Sequence, residues 1–275
     1  MGMPGGQAQK AARTRGDSLE GGRPSVGGDP RPDGSARPVR SGGKTPHSCE
    51  FEQFVDIRVH SWTDMQRIRV HFAKTEAMRY TGHLDLQRAW ERILRRAGLP
   101  VAYSQGYNQR PRIQLATALP LGFTSEAEIV DFWLDPPQAV EAVETALQGA
   151  VPPGIGIHAV EEIVGKAPAL QSVMRSAEYT VTLLDPVPDL EARVTALLEA
   201  ESLPRVRRGK PYDLRPLVFA LTMLSPDEAG KQRLSMHLSA RGGATGRPDE
   251  VLDALGIAPH TARVHRTALH YAENP

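Results

Sequence analysis

Two side chains able to exchange protons, His83 and Asp85, flank Leu84. An imidazole beside a carboxylate is the raw material of general acid–base catalysis. The same letters also suit a helix start, with Thr81 or Asp85 capping the first turn. His237 falls inside a strand-like run, and His265 and His270 fall in the last such run. None has a second and third donor at metal-ligand spacing, so the spacing gives no metal site, and one would have to be assembled from distant residues. Ser104 lacks the Gly-x-Ser-x-Gly surroundings of a nucleophile elbow. Gly106 and Gly122 stand alone, without a phosphate-loop or dinucleotide fingerprint. Cys49 is the single cysteine, which excludes an internal disulfide, a Cys-rich zinc site and a Cys-ligated iron–sulfur cluster.

The arginines are better placed to act. Arg88, Arg92 and Arg95 fall at i, i+4 and i+7 of a helical pattern, opposite its apolar face, and Arg96 extends them into a ridge. The loop Tyr103–Arg112 follows, with Tyr103, Gln105, Tyr107, Asn108, Arg110 and Arg112 in ten residues. Guanidinium forks match phosphate oxygens, and tyrosine rings stack on unpaired bases, so this stretch is a candidate recognition loop for RNA. The bland alternatives are a solvated helix face and a hairpin-like connection in which Gly106 and Asn108 supply turn geometry. A second basic cluster holds Arg205, Arg207, Arg208, Lys210 and Arg215. Charge is sorted along the chain. Residues 67–115 carry ten basic and three acidic groups, a difference of +7, whereas residues 116–165 carry eight acidic groups and no Lys or Arg. The acidic segment is a possible complement for self-association, and the basic one for an acidic protein partner.

The elements that must position these residues can be read from periodicity. Arg67–Phe72 alternates as a half-buried strand does, and Asp85–Ala97 is an amphipathic helix ended by Gly98 and Pro100. Ile113–Ala118 and Glu128–Leu134 read as strands, Pro137 opens a second helix, and Gly154–Val164 reads as a strand. The order recurs: strand Glu178–Leu184, helix Leu190–Ala200, strands Leu217–Leu224 and Arg233–Ser239, helix Pro248–Leu255 and strand Ala262–Tyr271. Leu99-Pro100 matches Leu203-Pro204, Tyr107 matches Tyr212, and Arg110-Pro111 matches Arg215-Pro216, at offsets of 104 to 105. The expected fold class is therefore α+β: tandem duplicated ferredoxin-like (βαββαβ) units, residues 65–172 and 173–275, each with its own antiparallel sheet covered on one face by two helices.

The chain has 275 residues, 40% of them apolar, and a formal net charge of +1. No window approaches 18 consecutive apolar residues, which argues against a membrane span, and the start of the chain lacks a secretory apolar stretch, so cytoplasm is the expected compartment. Residues 1–45 hold 11 Gly, 5 Pro and no aromatic residue. Such a composition cannot offset the entropy of ordering, so residues 1–64 are expected to form a disordered tail, with 51–64 a transition.

Several runs resemble the bacterial radical SAM-linked protein family. They are Phe72–Thr75 (FAKT), Gly82–Leu86 (GHLDL), Arg95–Pro100 (RRAGLP), Tyr103–Pro111 (YSQGYNQRP), Ala118–Gly122 (ALPLG), Asp213–Pro216 (DLRP) and Arg263–Leu269 (RVHRTAL). The chain departs from the family at Gly82, where Ser is usual, and at Gln109, where Pro is usual. The resemblance implies association with a cobalamin-dependent radical SAM protein. That partner would carry the iron–sulfur cluster, S-adenosylmethionine and cobalamin, since one cysteine cannot hold the cluster here. It supplies no activity for this chain.

The expectation is a non-catalytic accessory protein that binds or presents RNA through Arg88, Arg92, Arg95, Tyr103, Gln105, Tyr107, Asn108, Arg110, Arg112, Arg207, Arg208 and Arg215. One alternative is a metal-independent ribonuclease of the CRISPR RAMP type, using His83 and Asp85. The other is a pure protein-interaction subunit. The RAMP comparison rests on fold analogy alone.

Overall fold

The computed structural model describes residues 65–272. The expected tail over 1–64, with Cys49 and the transition at 51–64, lies outside the described residues. In chain order the elements are β1 (Gln66–Lys74), α1 (His83–Arg96), β2 (Ile113–Leu115), β3 (Thr124–Leu134), α2 (Val140–Ala150), β4 (Ile155–Glu162), α3 (Leu170–Val173), β5 (Met174–Leu183), α4 (Leu190–Glu199), β6 (Pro204–Arg207), β7 (Lys210–Asp213), β8 (Val218–Leu224), β9 (Arg233–Arg241), β10 (Ala244–Thr245), α5 (Pro248–Ala254) and β11 (Ala262–Tyr271).

The fold is mixed α+β with one large, mostly antiparallel sheet. Its path runs β10-β9-β5-β11-β3-β1-β4, with β2 also on β3 and β8 also on β9. In the first half the neighbours run β4-β1-β3-β2, and in the second β11-β5-β9-β8. The expectation of two separate sheets is corrected here. β3 starts at Thr124, ahead of the expected Glu128, and its early residues meet the last strand in parallel, His265 opposite Thr124 and Arg266 opposite Ser125. That short seam joins the halves into a nine-stranded sheet. A separate hairpin, β6–β7, projects from the second half.

Each half packs its helices on its own core. Leu86, Trp90, Ile93 and Leu94 of α1 and Val143 and Leu147 of α2 close over Ile68, Val70, Phe72, Val130 and Phe132. Trp90 meets Phe72 edge-on at 4.9 Å. In the second half Leu190, Val194, Leu197, Val251 and Leu252 cover Tyr179, Val181, Leu234, Met236 and Val264. Leu119 and Phe123, from the first half, belong to this second core. α1 ends as its sequence predicts: Gly98 is left-handed (φ 67°), with its N–H on Arg95 O and that of Leu99 on Leu94 O. Two details differ. The N-cap of α1 is Gly82, and neither Thr81 nor Asp85 caps it with a side chain. Pro137 lies before α2, whose N-cap is Ala139.

β1 is not half-buried. Its second face carries Arg67 and Arg69, both buried against Asp131 of β3. Among the described residues, no helix is long and apolar enough to cross a membrane.

Candidate nucleic-acid interface

The buried stripe of α1 fixes where its arginines go. Arg88, Arg92, Arg95 and Arg96 emerge on the opposite face, all exposed. Arg88 pairs with Asp85 at 3.2 Å on the open surface, a contact worth about 0.5 kcal/mol. Asp85 is therefore turned toward the ridge, and the structure records no contact between it and His83.

The loop after α1 is anchored at its base. Ala102 N–H donates to Trp133 O (2.7 Å), Arg112 N–H to Ala102 O (2.8 Å), and Ser104 N–H to Arg110 O (2.8 Å). The Ser104 hydroxyl accepts from Arg110 N–H at 3.0 Å. Beyond that base, Gln105, Tyr107, Asn108 and Arg110 stand in solvent, with Tyr107 fully exposed and Tyr103 half-exposed. Arg112 lies lower, with its guanidinium 4.7 Å from the centre of the Trp133 ring. Burial moves its pKa downward, though an arginine remains charged.

Beneath the surface are two ionic clusters that sequence reasoning missed. Asp131 is sealed from solvent and receives Arg67 Nε at 2.9 Å and Arg69 Nε at 2.9 Å. Arg67 also donates to Ala167 O and Pro168 O, both at 3.0 Å. Burial opposes the charge of Arg69, but the Asp131 carboxylate outweighs it and raises the pKa. In the second cluster, Arg266 donates to Glu128 at 2.7 Å, Ala118 O at 3.0 Å and the Tyr179 hydroxyl at 3.2 Å. Lys74 donates to Phe123 O at 2.9 Å and Arg79 O at 3.2 Å, and burial pushes it down to about 8. Here two buried cations share one carboxylate, and Arg266 Nε has no partner. Of the acidic segment's residues, Glu128 and Asp131 thus lie inside, beneath arginines, whereas Glu126, Glu141, Glu161 and Glu162 are exposed.

His83 is half-buried at the first position of α1, and its Nδ1 is buried with no partner. Burial holds its pKa below the usual histidine value. Glu128 opposes this and Arg266 adds to it. The ring is therefore neutral at neutral pH, able to accept a proton or a hydrogen bond.

Three depressions meet along this face. A cleft of about 620 Å³ is lined by His83, Gln87, Arg112, Trp133, Arg67 and Gln171, among others. A second, of about 890 Å³, shares His83 and Gln171 and continues to Arg207, Arg208, Lys210, Arg247 and Arg266. A smaller hollow of about 230 Å³ holds Arg95 and Tyr103 and adjoins the first cleft at Pro111. Neither of the two larger linings contains an aspartate or a glutamate. The groove thus runs from the Arg95–Tyr103 end to the β6–β7 hairpin, across both halves.

The second basic cluster divides. Arg208 sits at the hairpin turn with φ 52°, followed by Gly209 at φ 76°. It and Lys210 are exposed at the groove. Arg207 also reaches the groove, but Glu250 binds it in a close pair, Thr245 O accepts from it at 3.0 Å and Tyr212 lies under it at 4.8 Å. Arg215 turns inward and donates to Leu198 O at 2.9 Å and Val218 O at 3.0 Å. Its role is to tie α4 to β8, and it does not line the groove, which corrects its expected place among the phosphate contacts. Arg88 and Arg92 stand on the ridge, outside the groove lining, and Gln105, Tyr107, Asn108 and Arg110 form the loop tip. Arg247 carries no signal in the sequence, because it stands alone between Gly246 and Pro248. Metal donors gather elsewhere, on β5, β9 and β11.

Comparison with known proteins gives a family and little beyond it. No curated protein matches the chain. Among solved structures, a Cbf5-Nop10-Gar1 complex is 12% identical, with 77% of this chain and 51% of that one covered and a TM-score of 0.41. The archaeal box H/ACA sRNP Nop10-Cbf5 complex is also 12% identical, at 74% and 47% coverage and a TM-score of 0.35. An unknown protein from Galdieria sulphuraria is 15% identical, at 76% and 99% coverage and a TM-score of 0.23. The chain spans about half the length of the first two. Similarities this low carry no functional argument. The model of the family "Uncharacterized protein conserved in bacteria (DUF2344)" matches residues 67–248, and the chain belongs to that family.

Proposed function

We propose that the protein is a non-catalytic accessory subunit that holds a single-stranded RNA segment in the groove between its halves. The observation that carries this reading is the lining of the two larger depressions, which holds Arg112, Arg207, Arg208, Lys210 and Arg247 and no carboxylate, Glu91 lying only in the smaller hollow at the Arg95–Tyr103 end. Phosphates would lie against these cations, and bases would stack on Tyr103 and Tyr107 at the loop. Gln105, Asn108 and Arg110 would offer hydrogen bonds to base edges, and Arg88, Arg92 and Arg95 would extend the field along α1. The matched neighbour orders of the two halves support a tandem ferredoxin-like duplication, with the groove along their junction. The partner that suits this reading is a cobalamin-dependent radical SAM enzyme in the cytoplasm, supplying cluster, S-adenosylmethionine and cobalamin itself.

The test is anisotropy of the full chain with a labelled single-stranded RNA across a salt series. Affinity should fall steeply with salt, and Arg208→Glu and Lys210→Glu should each reduce the slope by about one. A flat salt response, or the absence of binding at low salt, would remove the RNA reading and leave a protein-docking face. A second reading, a ribonuclease, is favoured by one observation: the neutral, unpartnered His83 at the groove. It requires RNA cleavage that disappears in His83→Ala.

A further inference from the structure

We propose that Glu178, His237 and His270 form a binding site for a divalent transition metal of the zinc type, on the outer face of the second half. The three residues come from three adjacent strands. Glu178 of β5 lies directly opposite His237 of β9, and His270 of β11 lies opposite Ser176 of β5. Their neighbours Ala177, Tyr179, Met236 and Leu238 are buried, so strand alternation turns the trio away from the core.

One donor atom from each residue lies within 4.8 Å of the others. Zinc bonds of about 2.0–2.1 Å place tetrahedral ligands about 3.3 Å apart, so side-chain rotations alone can close the set, with the sheet backbone fixed. His270 Nε2 and Glu178 Oε1 are 2.8 Å apart, and the Ser176 hydroxyl is 2.8 Å from His237 Nε2. Phe219 packs edge-on against the His237 ring at 5.3 Å. Ser176 and Phe219 therefore set the orientation of one ligand before any metal arrives.

Two imidazoles and one carboxylate suit Zn²⁺, Co²⁺ or Ni²⁺ and are a poor set for Mg²⁺ or Ca²⁺. Three protein donors leave at least one position for water. His270 is exposed, so that position faces solvent. The site lies on the strands of the second half, apart from the groove lining, and does not depend on RNA binding. The histidines gave no metal pattern in sequence because their partners are cross-strand neighbours far apart in the chain.

The test is titration of the full chain with Zn²⁺ by calorimetry and with Co²⁺ by visible absorption. One ion should bind per chain, with the d–d bands of a low-coordinate Co²⁺ centre. His237→Gln with His270→Gln should weaken binding at least about 100-fold, and Ser176→Ala about 10-fold. Glu178→Gln tests the third ligand without altering the histidines. His270 is exposed, so His270→Gln alone should keep the metal-free melting temperature, and added Zn²⁺ should raise the melting temperature of the parent protein but not of the double variant. Unchanged affinity in the double variant would place any bound ion elsewhere in the chain and overturn the proposal. So would absence of stoichiometric binding, which leaves Glu178–His270 as a surface hydrogen bond only.

Discussion

Arg266 and Lys74 are both sealed from solvent, yet only Glu128 stands between them as a countercharge. Breaking a buried ion pair from one side leaves a charge uncompensated. Arg266→Met should therefore cost about 3–5 kcal/mol in urea unfolding, and Arg266→Met combined with Glu128→Leu should recover much of it. Lys74 has a sign that can be worked out. Burial pushes its amine down to about 8, below the ordinary lysine value of 10.5. Between those values the unfolded chain binds more protons, so the cost of burying the charge, present below pH 8, is relieved as pH rises. Stability measured at pH 10 relative to pH 7 should gain about 2–3 kcal/mol from this residue, and Lys74→Met should abolish that part of the pH dependence. These residues were illegible in the sequence. Lys74, Glu128, Asp131 and Arg266 look like ordinary surface charges, because the partner that makes burial tolerable lies 54 to 138 residues away. The exposed arginines of α1 were legible, since a helix that buries Leu86, Trp90 and Ile93 has one place left for them.

At the scale of elements, Gly154 is the tightest joint. It precedes β4 with φ 98°, and a Cβ there would meet Met78 Cγ at 2.5 Å and Met78 N at 2.9 Å. Gly154→Ala should cost about 2 kcal/mol or more, seen as a fall of about 4–8 °C in melting temperature. Most strands and helices were legible because each carries its own apolar period. Those that were missed are held by contacts from outside their own residues. The start of β3, Thr124–Ser125–Glu126, reads as polar loop and becomes strand through its neighbours β1 and β11. The β6–β7 hairpin turns at Arg208-Gly209, without the Asn-Gly signal that marks such turns. The half-buried reading of β1 failed for a related reason. Alternation shows which residues are polar, and it does not show that Asp131 will cover Arg67 and Arg69.

Several contacts join the two described halves, among them the two-residue parallel seam, the Arg266–Glu128 pair across it, Leu119 and Phe123 lodged in the second core, and the cluster of Ala116, Ile129 and Leu170 with Met174. Unfolding should therefore be one transition. In a Trp62→Phe background, fluorescence from the remaining Trp90 and Trp133, both in the first half, should superimpose on far-UV circular dichroism, which sees both halves. Separate midpoints would show that the halves unfold independently. The same seam has a kinetic meaning. A groove between two halves that share hydrogen-bonded strands cannot open and shut like a jaw, so no closing step is available to delay or proofread an incoming ligand. On the proposed RNA-binding function, encounter with a labelled RNA in stopped flow should then be a single phase, linear in concentration. Its rate should be set by the attraction of the basic rim and should fall as ionic strength rises.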